Sequence, residues 1–367
     1  MRLWIVDAFT DQVFTGNPAA VIPLEHWLPD ATLQAIAAEN KLSETAFFTP
    51  TGLKGNYQLR WFTPAVEVPL CGHATLAAGA VLLSEIEPGL EVAVFDTQAG
   101  ALIVRRTEEG YTLDLPRRPR GPWTAPADLI EALGGARIVD AFVGEYANVV
   151  LDAEQTVRAL RPDFAAIERI VRGPRQGCLA VTAPADEGKP YDFVCRFFAP
   201  GVGLPEDPVT GSAFADLAPY WADRFDLDSV VGYQASRRGG FTRAIQTLSS
   251  VRLMGQVAVY LRGELDPAVA RLHNRAAIGP DAPARKRRKR APRGAKQLAP
   301  IFEEPTIAEL EEPPPLPLLA VKTKTARPEE ETLVRIVKEA DLGGGDSIRV
   351  YEIASEPDEP PAHAANE

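Results

Sequence analysis

Three short stretches of the chain carry residues able to move a proton. Ser43-Glu44-Thr45 sets a carboxylate between a helix that ends near Asn40 and a strand rich in phenylalanine. Apolar neighbours favour the neutral form of a carboxyl group and bring its proton exchange towards neutral pH. Cys71-Gly72-His73 places an imidazole in the first turn of an apolar helix, where the positive end of the dipole favours the neutral ring. Glu206-Asp207-Pro-Val-Thr210-Gly211-Ser212 brings a carboxylate and a hydroxyl to a second glycine-entered helix. Asp207 could orient His73 or donate to a developing oxyanion, and the Ser212 hydroxyl and amide suit a substrate carboxylate. Plainer roles stay open for each: a turn or capping carboxylate for Glu44, a buried structural histidine, a turn aspartate, an N-capping serine.

These residues depend on elements that occur twice. Arg60-Trp-Phe-Thr-Pro leads to Gly72-His73, and Arg196-Phe-Phe-Ala-Pro leads to Gly211-Ser212. Each copy reads as a strand, a proline-rich loop and a helix entered through glycine, so Gly72 and Gly211 mark two anion-friendly backbone termini facing one cleft. The similarity extends outward with a slowly growing offset: Asp30 to Asp163 is 133 positions, Tyr57 to Tyr191 is 134, Phe62 to Phe198 is 136 and Gly72 to Gly211 is 139. A duplicated unit with small insertions explains that drift. Asp30 and Asp163 each read as a helix N-cap.

The helix from Ala74 to about Ser84 is apolar nearly all round and must be buried on every side. A second helix runs from Ser212 to about Asp226, and short strands are expected at Val92–Thr97, Ala101–Arg106, Tyr111–Asp114 and Val257–Arg262. A sheet wrapped around a central helix satisfies both patterns. The fold class is therefore α+β with two pseudosymmetric domains, 1–116 and 117–265, and a seam at the prolines of Leu115–Pro122.

From residue 266 to 367 the composition changes. The last 101 residues hold 14 of the 33 prolines and only two aromatics, Phe302 and Tyr351, too few for a packed core. This stretch is expected to be a low-complexity, disordered tail, with room for a short helix at Glu331–Ala340 and a strand at Ser347–Ile353. Its basic run Arg285–Arg290 is balanced by Glu303–Glu312 and reads as a solvated patch ahead of a nucleic-acid contact. The net charge of −11 also argues against nonspecific DNA binding by the whole chain.

Three cysteines at irregular spacing, Cys71, Cys178 and Cys195, offer no disulfide framework and point to the cytoplasm. No apolar run is long enough to span a membrane. Cys71 and His73 are too few for a zinc site, and no dinucleotide, P-loop or nucleophile-elbow motif occurs, so neither metal nor cofactor is expected. A cofactor-independent acid–base enzyme is what remains.

Several long strings, in order, now carry a family resemblance: Phe14-Thr-Gly-Asn-Pro-Ala, Ala38-Glu-Asn-Lys-Leu-Ser-Glu-Thr-Ala-Phe47, Val68-Pro-Leu-Cys-Gly-His-Ala-Thr75, Glu206-Asp-Pro-Val-Thr-Gly-Ser-Ala213 and Tyr233-Gln-Ala-Ser-Arg-Arg-Gly-Gly240. Over residues 1–265 the chain resembles the PhzF-like phenazine-biosynthesis isomerases. The resemblance implies a diaminopimelate epimerase-like fold, each half a β-barrel-like sheet around a helix, and a homodimer. It implies Glu44 as proton shuttle, with His73, Asp207 and Ser212 binding and polarising the substrate and Ser43 as a further contact. The type reaction is isomerisation of trans-2,3-dihydro-3-hydroxyanthranilate. The epimerase's two opposed cysteines correspond to Cys71 and Thr210, so a two-thiol mechanism is absent. One departure is Phe214, where the family usually has histidine, and it bears on the substrate's identity.

The reading adopted is a cofactor-independent isomerase acting on a small carboxylate. Two others stay open: an epimerase or racemase with Glu44 and Cys71 as opposed bases, and a noncatalytic ligand-binding or scaffold protein whose basic tail docks a partner.

Overall fold

Alternating β-branched and aromatic residues form the strands of this chain, and the glycine-entered apolar stretches form its two long central helices. A computed structural model describes residues 1–171, 177–270, 334–343 and 346–353. The first run of strands comprises β1 (Arg2–Ala8), β2 (Asn17–Pro23), β3 (Glu44–Pro50), β4 (Asn56–Phe62), β5 (Glu67–Val68), β6 (Val92–Thr97), β7 (Gly100–Thr107) and β8 (Gly110–Pro116), with α1 (Asp30–Asn40) and α2 (Gly72–Val81) between them. A two-residue strand, β9 (Gly121–Pro122), follows at the seam. The second run comprises β10 (Ile138–Val143), β11 (Ala147–Leu151), β12 (Leu179–Pro184), β13 (Phe193–Ala199), β14 (Leu204–Asp207), β15 (Ser229–Gln234), β16 (Gly240–Gln246) and β17 (Ser250–Gly255). Its helices are α3 (Ala127–Ala132), α4 (Glu154–Ala159), α5 (Phe164–Ile170) and α6 (Gly211–Phe225). Strand β18 (Val257–Glu264) and the short α7 (Pro267–Ala270) close this part of the chain.

The two runs pair their strands in the same order. β2 lies parallel to β3, β3 antiparallel to β4, β4 antiparallel to β5 and parallel to β6. Likewise β11 lies parallel to β12, β12 antiparallel to β13, β13 antiparallel to β14 and parallel to β15. Two exchanges then tie the runs together. β18, which follows the second run, pairs with β1, and β9, which follows the first, pairs with β10. Between them β8 pairs antiparallel with β17, Leu113 opposite Leu253.

All ten residues of α2 are buried, and the helix packs on β1, β2, β3, β7 and β8. A methyl at Gly79 would sit 2.4 Å from Val104 Cγ1, so only glycine lets this helix lie so close to β7. α6 packs on β15, β16 and β17, with Trp221 and Phe214 fully buried among Phe193 and its neighbours.

Some expectations need correction. Asp163 caps α5 through Ala166 N, but Asp30 is not the N-cap of α1: Pro29 takes that place, and the Asp30 carboxylate lies 3.0 Å from Arg60 Nη1. The helix expected at Glu331–Ala340 is instead a strand, β19 (Val334–Gly343), paired antiparallel with β20 (Asp346–Ile353). The two strands satisfy each other's backbone groups, and the alternation of Val334 and Ile336 fits a strand better than a helix. The rest of the expected tail beyond Ala270, the Arg285–Arg290 run included, lies outside the described residues.

Candidate active site

The two glycine-entered helices meet end to end. A methyl added at Gly72 would lie 3.4 Å from the Gly211 Cα, and one at Gly211 3.5 Å from the Gly72 Cα. An added methyl at either position would just reach van der Waals contact with the other helix start, so the two backbones lie close together. Two positive dipole ends thus face one small space, which favours a negative charge there.

Glu44 opens β3 and His73 is the second residue of α2, so neighbouring elements bring them together. Glu44 Oε2 lies 3.0 Å from His73 Nε2. Both atoms are buried and neither finds an aligned hydrogen-bond partner, which leaves them free to bond a ligand. Behind the ring, Asn17 at the start of β2 is fully buried, and its Nδ2 lies 3.1 Å from His73 Nδ1. The same nitrogen donates to Asp207 Oδ1 at 2.9 Å and to Val209 O at 2.9 Å. Asp207, at the end of β14, also accepts from the Thr210 hydroxyl. A continuous polar chain therefore runs from Glu44 in the first run of strands to Asp207 in the second.

The second run supplies the opposite wall. Ser212 Oγ lies 2.9 Å from the Tyr146 hydroxyl, whose ring stands edge-on to Phe197. Tyr146 is held by Asp216, one turn further along α6, which accepts from the amides of Glu145 and Tyr146 at 2.9 Å each. Gly144 lets this happen, since a methyl there would sit 2.6 Å from the Asp216 carboxylate. Gln234 on β15 fixes the approach to α6, accepting from Thr210 N at 2.9 Å and donating to Asp207 O at 2.7 Å. The loops before the two helices are braced alike: Arg60 on β4 grips Glu67 on β5 at 2.7 Å, and Arg196 on β13 grips Glu206 on β14 at 2.8 Å.

Electrostatics sorts these groups. Burial pushes the Asp207 carboxyl up to about 6, against the pull of His73 and with Glu44 adding to the rise. Burial lowers the His73 imidazole, but Cys71 and Glu44 more than offset it and draw the ring well above its ordinary value. The dipole argument for a neutral ring is therefore opposed by two neighbours that the local sequence did not reveal together. Burial and Glu44 push the Cys71 thiol up, and burial raises Cys178 to about 11 and the Tyr146 phenol further still.

The residues read from sequence as Glu44, His73, Gly72, Asp207, Gly211 and Ser212 are thus gathered around the meeting helix starts. Ser43 stands in the bend before β3 and makes no side-chain hydrogen bond among the described residues. Asn17 was legible only as part of Gly-Asn-Pro, and Tyr146 and Asp216 carried no signal beyond the glycine at 144. Glu44 adds a third donor to Cys71 and His73, with ligand atoms within 4.8 Å of one another. Yet Cys71 Sγ faces Nδ1 at 3.6 Å while Glu44 faces Nε2, and one ring cannot aim both lone pairs at one ion. Beside Ser212 lies a cavity of about 10 Å³, bounded by Leu70, Arg118 and Asp216, room for about one water. A wider groove of about 990 Å³ runs along the seam past Arg117, Arg120 and Tyr220, and none of Glu44, His73 and Asp207 lines it.

Comparison with known proteins fits this arrangement into a family. The family model described as phenazine biosynthesis-like protein (PhzC-PhzF) matches residues 6–264. The chain belongs to the phenazine biosynthesis-like family. Relatives in this family include an uncharacterized isomerase of Pseudomonas aeruginosa, 45% identical over 265 residues and covering 72% of this chain and 98% of its own length. The phenazine biosynthesis-like domain-containing protein of Homo sapiens is 38% identical over 284 residues, covering 72% and 99%. Among solved structures, a PhzF-family phenazine biosynthesis protein of Enterococcus faecalis has a TM-score of 0.68 at 42% identity, covering 72% of this chain and 98% of its own. A predicted epimerase of Pseudomonas aeruginosa shares the fold at a TM-score of 0.55 and 22% identity. At the level of the phenazine biosynthesis-like family the chain stands among isomerases, and no helix of the described residues is long and apolar enough to cross a membrane.

Proposed function

We propose that this chain is a cofactor-independent isomerase that shifts a proton within a small carboxylate-bearing substrate, with Glu44 as general base and acid. The observation that carries this reading is the 3.0 Å approach of the Glu44 carboxylate to His73 beside two abutting helix starts. Glu44 takes a proton from a carbon next to an unsaturated or carbonyl-like group and returns it to another carbon. His73 and Asp207 hold and polarise the substrate, Asp207 donating while it carries its proton, and Ser212 with the amide ends at Gly72 and Gly211 receives the carboxylate. Ser43 is a further contact at the mouth. The site lies between two halves, residues 1–116 and 117–265. By family, the first substrate to try is trans-2,3-dihydro-3-hydroxyanthranilate.

An epimerase with Glu44 and Cys71 as opposed bases has less support, because a thiol whose pKa is raised offers little thiolate near neutral pH. Proton NMR of the full chain with the dihydro substrate in deuterium oxide, run beside Glu44→Gln, tests the proposal. Isomerisation by the wild type with a loss of at least about a hundredfold in Glu44→Gln is expected. Equal turnover by the two proteins would remove Glu44 from the chemistry, and an unchanged compound with the wild type would exclude this substrate.

A further inference from the structure

The groove along the seam takes no part in the proton chemistry, and its charge is the reverse of the surrounding chain's. Residues 1–266 hold 33 carboxylates against 23 lysines and arginines, but the groove, of about 990 Å³, is lined by four arginines and two aspartates. A concave wall with an excess of one sign concentrates the opposite charge. The arginines are also held in place. Arg117, Arg118 and Arg120 stand on the proline-bearing link between β8 and β9. That link is tied at one end by Arg117 N, which donates to Ser249 O at 2.9 Å, and at the other by the pairing of Gly121 with Val143. Arg120 lies over the stacked rings of Phe142 and Tyr220, 5.9 and 5.8 Å from their centres, and is tethered by Asp223. Arg224, in the last turn of α6, lies over the same tyrosine at 5.5 Å and donates to its hydroxyl at 2.8 Å.

Most of the guanidinium donors stay available. Each side chain carries five, and Arg120, Arg224 and Arg118 commit one nitrogen apiece to Asp223, Tyr220 and Glu145. Arg117 has no side-chain partner among the described residues. Asp140 and Asp223 are half-exposed, so the ion pairs they make with Arg224 and Arg120 are weakly held and open to exchange. Those two carboxylates and the carbonyl end of α6 oppose an anion here, so a single charge would be poorly held. Two linked charges can engage guanidinia from both walls. We propose that the seam groove is a binding site for a small polyphosphate anion, gripped between Arg117 and Arg120 on the link and Arg224 on α6. The planar guanidinium fork matches phosphate oxygens in pairs, and its fixed placement lowers the cost of ordering it. The site is separate from the catalytic one, because α6 runs about 20 Å from Gly211 to this groove.

Isothermal titration calorimetry of the full chain with sodium pyrophosphate at fixed ionic strength tests the proposal. Saturable binding of one pyrophosphate is expected, at least about tenfold tighter than that of inorganic phosphate. Arg117→Gln and Arg120→Gln should each raise Kd at least about tenfold, since each removes charge-assisted contacts. Asp223→Asn should tighten binding several-fold by removing a competing carboxylate, a gain that a merely structural role for these residues would not give. If Arg120→Gln does not fold, Arg224→Gln takes its place, its side chain being half-exposed. No saturation at millimolar pyrophosphate would overturn the inference, and so would equal affinity for inorganic phosphate. A Kd left unchanged by the arginine substitutions would also overturn it, moving the anion to the helix starts at the active site. The titration needs no substrate, so its outcome is independent of the isomerase reading.

Discussion

Asp207 holds its proton up to about pH 6 in the folded chain, against an ordinary value of 3.8. The folded state therefore binds this proton more tightly than the unfolded state, and the stability it contributes is complete below about pH 4 and lost as pH rises through 6. The loss is roughly 3 kcal/mol, because a tenfold change in proton affinity is worth about 1.4 kcal/mol. Asp207→Asn cannot ionise, so its Tm relative to the wild type should rise by several degrees between pH 4 and pH 8, although its activity falls. A difference that does not change with pH would mean that burial does not strain this carboxylate. At this scale the sequence was informative where chemistry is written locally: Glu44, His73 and Asp207 stand in compact strings with glycine, proline and hydroxyl neighbours. Asn17 and Tyr146 were not legible as site residues, because their partners lie 56 and 190 positions away for Asn17 and 66 for Tyr146. Only the fold creates their roles.

Among the elements, the loops that deliver the helix starts are each pinned by an arginine fork. Arg196 gives two hydrogen bonds to Glu206 and another to Leu160 O at 2.9 Å, so it ties β13, β14 and the end of α4 together. Arg196→Ala leaves Glu206 without its partner beside Asp207, and a loss of about 3 kcal/mol is expected. Thermal unfolding should show the drop, and kcat should fall with it because β14 carries Asp207. Arg196→Lys should recover little, since an ammonium cannot reproduce the fork; full recovery would reduce the pair to simple charge. The glycine entries and the nearly all-apolar α2 could be read in advance from composition. The start of α1 could not: Pro29 precedes Asp30, and Arg60 draws the carboxylate away from the helix amides.

Residues 1–265 are held together by their exchanged strands. The first run needs β18 to cover β1 and β17 to cover β8, and both come from beyond residue 249. Residues 1–116 expressed alone would expose two long strand edges and should stay unfolded or aggregate, while co-expression with 117–367 should give a folded pair. Circular dichroism and co-purification decide it, and a folded, monomeric 1–116 fragment would contradict the account. The repeat itself was visible in the drifting offset between Asp30 and Gly211, but the exchange was not, because a strand's partner is not encoded in its own pattern. One result of the exchange is that Arg2 lies opposite Glu264, with Leu265 N bonded to Met1 O at 2.8 Å. Strands β1 to β18 are in effect a ring cut once. A short linker from residue 265 back to residue 1 would close it, and the chain could then be reopened at an exposed tip such as Gly52, where nothing crowds the backbone, without moving any of strands β1 to β18.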